Sequence, residues 1–391
     1  MRKTTSCVFA IHLLFSAACV RSTDNADAVA FPFSLVDNRP FIDATVNGHG
    51  PLKMILDTGG RLLITPAVAE TLELTLTDPY PLGGAGAGTE TAYKATVDAL
   101  EVGPAAFGAM PGDVLPLSDI QDAIGFKQWD GVVGAEIFER YVVELDFAAS
   151  TMRLIEPDDF VPRAGAVVLP LTIDDGYPFV DATIAGVPGR YLVDTGDRSS
   201  LSFCSSFSAK HGLAERYDAS EPMLTGWGVG GPIEAPVALV NDFDIGPFKV
   251  DGVLARFPHL TTGLFGDSEL AGSIGAGFLK RFRVTFDDRG SRLILEPEAQ
   301  LRQKDAVDRS GMWVGRRDGK ATILHVTSSS PAADAGLRVG DQVIAVDGVA
   351  SEGVDLIELR ERLKEPGRSD ITVDVAREGG QTLEARIQLR G

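Results

Sequence analysis

The sequence predicts a mainly β protein: two homologous β-barrel lobes followed by a small α+β module. Three observations carry this prediction. A long segment occurs twice, alternating apolar stretches fall at matched points of both copies, and a third segment outside the repeat has its own helix and turn signals.

The repeat pairs Phe31 to Gly59 with Leu169 to Gly196. Pro40-Phe41-Ile42-Asp43-Ala44-Thr45 matches Pro178-Phe179-Val180-Asp181-Ala182-Thr183, and after a one-residue deletion Asp57 matches Asp194. Further on, Gly131-Val132-Val133-Gly134 matches Gly272-Ser273-Ile274-Gly275, and Arg140 to Phe147 matches Arg281 to Asp288. Two copies of domain length indicate a duplication rather than a solenoid. Tyr141 to Phe147 and Arg281 to Phe286 alternate apolar and polar residues between Gly- and Pro-rich connections, the pattern of strands. Helical spacing is scarce in the repeat, with Pro66 to Leu72 and Phe207 to Leu213 as short candidates in matched places. Each copy therefore reads as a small, mostly antiparallel barrel.

Beyond Leu301 the pattern changes. Gln303 to Ser310 is polar and reads as a linker. Ser330 to Leu337 then reads as a short helix with a Gly336 stop, followed by a strand that closes on an Asp347-Gly348 turn. Val354 to Leu363 has helical spacing, and Ile371 to Ala376 and Leu383 to Leu389 alternate as strands. The expected division is 1–28 leader and tether, 29–160 first lobe, 161–300 second lobe, 301–310 linker and 311–391 terminal module.

The leader has a basic start at Arg2 and Lys3, an apolar run from Cys7 to Phe15, and small residues before Cys19. This is an export-signal layout, too short to span a membrane. Two processing outcomes fit it: acylation at Cys19 as a lipoprotein, or cleavage further on near Ala26-Asp27-Ala28. Either way the expected location is the periplasm or the envelope. Cys7, Cys19 and Cys204 are the three cysteines of the chain, so the fold is not expected to rest on disulfides. Cys204 reads as a small buried hydrophobe rather than a nucleophile. A net charge of −19 argues against nucleic acid as a partner. Five scattered histidines give no ligand spacing, so neither metal nor cofactor is expected.

The chemistry concentrates at Asp57-Thr58-Gly59 and Asp194-Thr195-Gly196, each at the end of an apolar strand. Glycine permits a tight turn and close backbone approach. The threonine hydroxyl can lock the loop across a two-fold interface. Two such loops facing each other bring two carboxylates together, and like charges at short range share a proton rather than both ionising. A pair of this kind can activate water with one member and polarise a carbonyl with the other.

On these residues, 31 to 298 resemble the two-lobed retropepsin/pepsin type of aspartic peptidase. The resemblance implies two aspartic-peptidase β-barrel lobes and a dyad of Asp57 and Asp194, supported by Thr58, Gly59, Thr195 and Gly196. It also implies an apolar-apolar-Gly element closing each lobe, which Val132-Val133-Gly134 fits well and Ser273-Ile274-Gly275 less well. A glycine-rich hairpin over the substrate maps to Leu82 to Thr89 and Thr225 to Gly231, with Gly84, Gly86, Trp227 and Gly228 as candidates; ordinary exposed turns are the alternative. The chain departs from the family after each motif, where a small residue is usual, with Gly60 then Arg61 and Asp197 then Arg198. An unpaired Asp197 would raise the dyad's apparent pKa values, whereas pairing with Arg198 or Arg61 would cancel this, and contact with a substrate amide is a third use.

Residues 311 to 391 resemble a bacterial PDZ domain, on the run Ser330 to Gly348. The resemblance places a carboxylate-binding loop at Gly311, Met312, Trp313 and Val314, so that peptide C-termini add as a strand; a packing or regulatory module is the alternative. The module is expected to tune substrate choice rather than chemistry. Together these readings imply an exported aspartic endopeptidase acting on proteins or peptides. The rivals are a non-catalytic peptide-binding envelope protein with the same fold and a structural envelope lipoprotein.

Overall fold

In each lobe a long hairpin delivers one aspartate. Arg39–Val46 folds back on His49–Leu56 in the first lobe, and Tyr177–Ile184 on Val187–Asp194 in the second. In the computed structural model, which describes residues 28–390 apart from residue 268, the leader with Cys19 lies outside the described residues. Both hairpins turn on two consecutive positive-φ residues, Asn47-Gly48 and Ala185-Gly186, the backbone that matches strand twist. Period-two burial follows: Ile42, Ala44 and Val46 enter the core while Asp43 stays outside.

The expected strands and helices of the repeat form. Val142–Asp146 pairs with Thr151–Ile155, and Phe282–Asp287 with Arg292–Pro297. The first helix, α1, is Pro66–Thr71, with proline in its first turn, and its counterpart is Ser205–His211. Several short helices were not legible as helices, among them α2, Ser118–Ile124, which ends on Gly125 at φ +75°. Seven residues give too little periodicity to separate a helix from a loop.

The lobes are not purely antiparallel. Gly131–Val133 runs parallel to His49–Leu56, and Gly272–Gly275 parallel to Val187–Asp194. The reason is local: the strand that ends in the aspartate is buried and needs a partner on both sides, and the apolar-apolar-Gly element supplies one.

Val142–Asp146 also pairs with Phe282–Asp287, so the two lobes share one sheet of six strands. A single apolar core runs through both lobes, with Phe138 meeting Phe286 edge to face at 5.2 Å. The terminal module has a separate core containing Met312, Val314, Ile323, Leu356, Leu359 and Leu363. Its short expected helix forms at Pro331–Asp334, its longer helix spans Leu356–Lys364, capped by the Asp355 carboxylate, and its last strands are Asp370–Ala376 and Thr382–Gln388.

The segment 301–310 is more than a tether. Buried Arg281 donates to the Leu301 carbonyl at 3.0 Å and pairs with Asp305 at 2.7 Å, and Asp305 also accepts from the Leu254 amide. A buried guanidinium needs these partners, so the Asp305 carboxylate and two backbone carbonyls of the segment, Leu301 and Gln303, are its counter-groups.

Candidate active site

Asp57 and Asp194 meet at the seam between the lobes. Thr58 and Thr195, both buried, fix them by a crossed set of four hydrogen bonds. Each hydroxyl donates into the other lobe, Thr58 to the Val193 carbonyl and Thr195 to the Leu56 carbonyl, both at 2.6 Å. Each hydroxyl also accepts from the other threonine's amide at 3.0 Å. Inside each loop the aspartate Oδ1 accepts from the glycine amide, Gly59 at 2.8 Å and Gly196 at 2.9 Å. The glycines are required because the opposite carboxyl packs on them. A Cβ at Gly59 would stand 2.8 Å from Asp194 Cγ, and one at Gly196 would stand 2.3 Å from Asp57 Cγ.

This proximity sets the protonation of the pair. Burial pushes Asp57 above the usual carboxylate range, and hydrogen bonds from Asp194 and from the Gly59 amide hold it back in part. Asp194 is raised well above that range, first by burial and then by the charges of Asp57 and Asp197. The pair therefore carries one proton over a wide pH span, with Asp194 the better holder.

Asp197 is buried, and neither Arg198 nor Arg61 is its partner. Arg256 grips both its oxygens at 3.0 Å, Ser202 and Ser273 donate to Oδ2 at 2.9 and 3.2 Å, and the Ser199 amide donates to Oδ1. Burial alone would raise Asp197, but Arg256 and these donors outweigh it and keep it ionised. The expectation of an Asp197 either unpaired or paired with Arg198 or Arg61 is thereby corrected. Pairing register makes Val132 the counterpart of Ser273 and Leu63 that of Ser202. Where lobe one has Gly60, Val132 and Leu63, lobe two has Asp197, Ser273 and Ser202. The two departures read separately in the sequence, Asp197 and Ser273, are thus one polar cluster. A lone Arg256 at the end of an apolar strand was the signal that could have completed it.

The two arginines after the motifs do share a role. Arg198 binds Asp37 of the first lobe through two contacts, at 2.6 and 2.7 Å. Arg61 reaches Asp175 of the second lobe, at its carbonyl and at 3.5 Å to its carboxylate. Aligning Pro40 with Pro178 makes Asp37 and Asp175 equivalent, so the repeat places one such clamp on each side of the dyad. Arg39 adds a bond from Nε to the Gly196 carbonyl at 2.9 Å.

The flap candidates come together as a roof. Gly86 and Gly88 donate to the Val229 and Gly230 carbonyls, each at 2.9 Å, and Leu264 donates to the Gly84 carbonyl at 3.0 Å. A Cβ at Gly84 would stand 2.9 Å from Val229 Cβ, and one at Gly228 would stand 2.9 Å from Ala85 Cβ. Beneath the roof is a cavity of about 610 Å³ whose lining includes the dyad, Leu117, Ile120, Trp129, Trp227 and Phe265. Its size and apolar walls suit several side chains of an extended peptide.

Cys204 is buried against the Leu264 carbonyl, and burial pushes its thiol up to about 12, which leaves it inert. Among the described residues, no group of three His, Cys, Asp or Glu could hold a metal ion.

The four residues mapped to a peptide-binding loop, Gly311 to Val314, are not open to a peptide. All are buried, and Trp313 points away from its own domain's core into a cluster with Phe41, Ile55, Trp129 and Leu224. Strand alternation explains this: Met312 and Val314 fill the module's core, and Trp313 between them must face the lobes. The resemblance placed a carboxylate-binding loop here; Met312–Arg317 is instead a strand packed against the lobes.

Comparison with known proteins agrees with this architecture. Residues 42–136 match the family model described as aspartyl protease, and residues 322–377 match that of the PDZ domain. No curated protein matches the chain significantly. The chain thus joins an aspartyl protease fold to a PDZ domain at its C-terminal end.

Proposed function

We propose that this protein is an aspartic endopeptidase in which Asp57 and Asp194 activate the attacking water. The carrying observation is the pair itself: two carboxyls from matched loops, packed face to face and raised in pKa, under a roofed apolar cleft. Asp57, the ionised member, takes a proton from water as its oxygen attacks the scissile carbonyl carbon. Asp194 gives its proton to the carbonyl oxygen, so no charge develops on the diol intermediate. On collapse the C–N bond breaks, the leaving nitrogen takes the proton from Asp57, and a diol hydroxyl returns one to Asp194. The roof excludes water from the reacting atoms and must open to admit the chain.

The leader supports export to the periplasm or envelope, with Cys19 as the candidate anchor. The test is a peptide-library digest with purified residues 29–391, with and without a pepstatin-type inhibitor. Inhibitor-sensitive cleavage is the expected result. Binding of peptides without cleavage would favour the non-catalytic reading instead.

A further inference from the structure

We propose that the PDZ domain is a clamp on the substrate cleft, with Trp313 and Arg360 as positioning residues that set the cleft's apolar wall. This rests on the endopeptidase reading and adds a determinant of specificity to it.

The contact is specific and polar as well as apolar. Trp313 Nε1 donates to the Ala123 carbonyl at 2.7 Å, near the C-terminal end of α2. Arg360, on the PDZ helix, donates to the next carbonyl, Ile124, and to Val314 of its own domain at 3.2 Å. Both residues are nearly buried, Trp313 5 % and Arg360 3 % exposed, and the guanidinium stands 4.8 Å over the indole ring. Helix ends leave carbonyls unpaired, and a cation there also complements the helix dipole. Gly125 completes the fit, since a Cβ there would meet Leu356 at 2.8 Å.

The other side of α2 faces the substrate. Leu117, just before the helix, and Ile120, within it, line the cavity above the dyad. Gln121 donates to the Trp129 carbonyl at 2.7 Å, and Trp129 lines the same cavity. The PDZ domain also holds the second roof hairpin: Ser328 and Ser329 donate to Glu221 beside it, and His325 meets Glu234 within it at 3.4 Å. That hairpin carries Trp227 and Val229 into the cavity. Two cleft walls from different lobes are thus braced by one domain. Large apolar side chains of the substrate would rest on these walls, and small ones would not reach them. On this account the module tunes substrate choice through the cleft walls themselves, and so acts on short peptides as well as on proteins.

The test uses residues 29–391 with Trp313→Phe, which removes the indole N–H together with part of the buried ring, and Arg360→Met, which removes the guanidinium. Two short peptides differing only in Phe or Ala beside the scissile bond are compared. For Trp313→Phe one lost hydrogen bond, net about 1 kcal/mol, predicts a KM for the Phe peptide raised by about fivefold, and Arg360→Met, which loses two, should raise it at least as much. The Ala peptide's KM, both kcat values and the limbs of the pH profile should stay within about twofold. Hydrogen exchange supplies a readout independent of activity. The Gln121 and Gly125 amides, bonded within α2 and its cap, should exchange faster by a similar factor, with the Thr58 and Thr195 amides unchanged. Unchanged exchange in α2, or equal losses on both peptides, would overturn the clamp. If the wild type cleaves neither peptide, the endopeptidase reading fails, and the exchange measurement alone decides the clamp.

Discussion

Ser273 donates its hydroxyl to Asp197 at 3.2 Å, from a strand position that holds Val132 in the other lobe. This bond makes the protein asymmetric where its repeat is most symmetric. The Asp197 amide donates to Asp194 Oδ1 at 2.9 Å, so the buried Asp197–Arg256 pair stands directly behind one member of the dyad.

Asp197→Asn should move both limbs of the kcat/KM pH profile to lower pH. Asp197 raises Asp194, so removing its charge makes the dyad easier to ionise, and the unpaired Arg256 acts in the same direction. The variant should also lose about 3–5 kcal/mol of stability, since Arg256 is left buried without its partner. An unmoved profile in a folded variant would separate Asp197 from the chemistry.

Asp57→Asn and Asp194→Asn should each lower kcat/KM by about 10³-fold or more, because one proton must be shared between two carboxyls. The fold should persist, as the threonine bonds do not involve the carboxyls. Near-normal turnover by either variant would remove the shared-proton mechanism.

The same pair predicts a pH dependence of stability. Both carboxyls are raised in the folded state, so their contribution is complete below the unfolded carboxyl pKa of about 4 and is lost as pH rises through the folded values. Asp194→Asn cannot ionise there. The gap between its Tm and that of the wild type should therefore shift in its favour as pH rises above about 5, measured by calorimetry. A constant gap would contradict the raised dyad.

Gly86→Ala should raise KM with little change in Tm. Its Cβ would fall 2.3 Å from the Gly230 carbonyl carbon, so the two hairpin tips could not meet, yet nothing in the core is disturbed. Gly108→Ala is the control, because nothing lies within 4 Å of its Cβ. A KM change in both, or in neither, would count against a closing roof.

Gly134→Ala should instead unfold or inactivate the protein, since its Cβ would stand 2.1 Å from the Gly60 carbonyl oxygen and 2.5 Å from that of Asp57. The expected cost is at least about 1–3 kcal/mol, read as a fall in Tm.

The sequence by itself determined the duplication, the paired Asp-Thr-Gly loops, the strands around them and the C-terminal module. Each is written in local pattern: period-two alternation, glycine where backbones meet, proline and glycine at element ends. It also marked Asp197 and Ser273 as departures, because each breaks a local rule. What it could not show was that they touch, since Ser273 lies 76 residues from Asp197 and only the parallel pairing of Gly272–Gly275 beside Val187–Asp194 joins them. The same holds for Arg198 with Asp37 and for Trp313 with α2. Those contacts depend on how lobes and module dock, and docking is decided by shape and by buried polar groups finding partners over long separations. A tryptophan at position 313 states that something large and apolar must be covered; only the tertiary structure decided that the covering surface is the wall of the candidate active site.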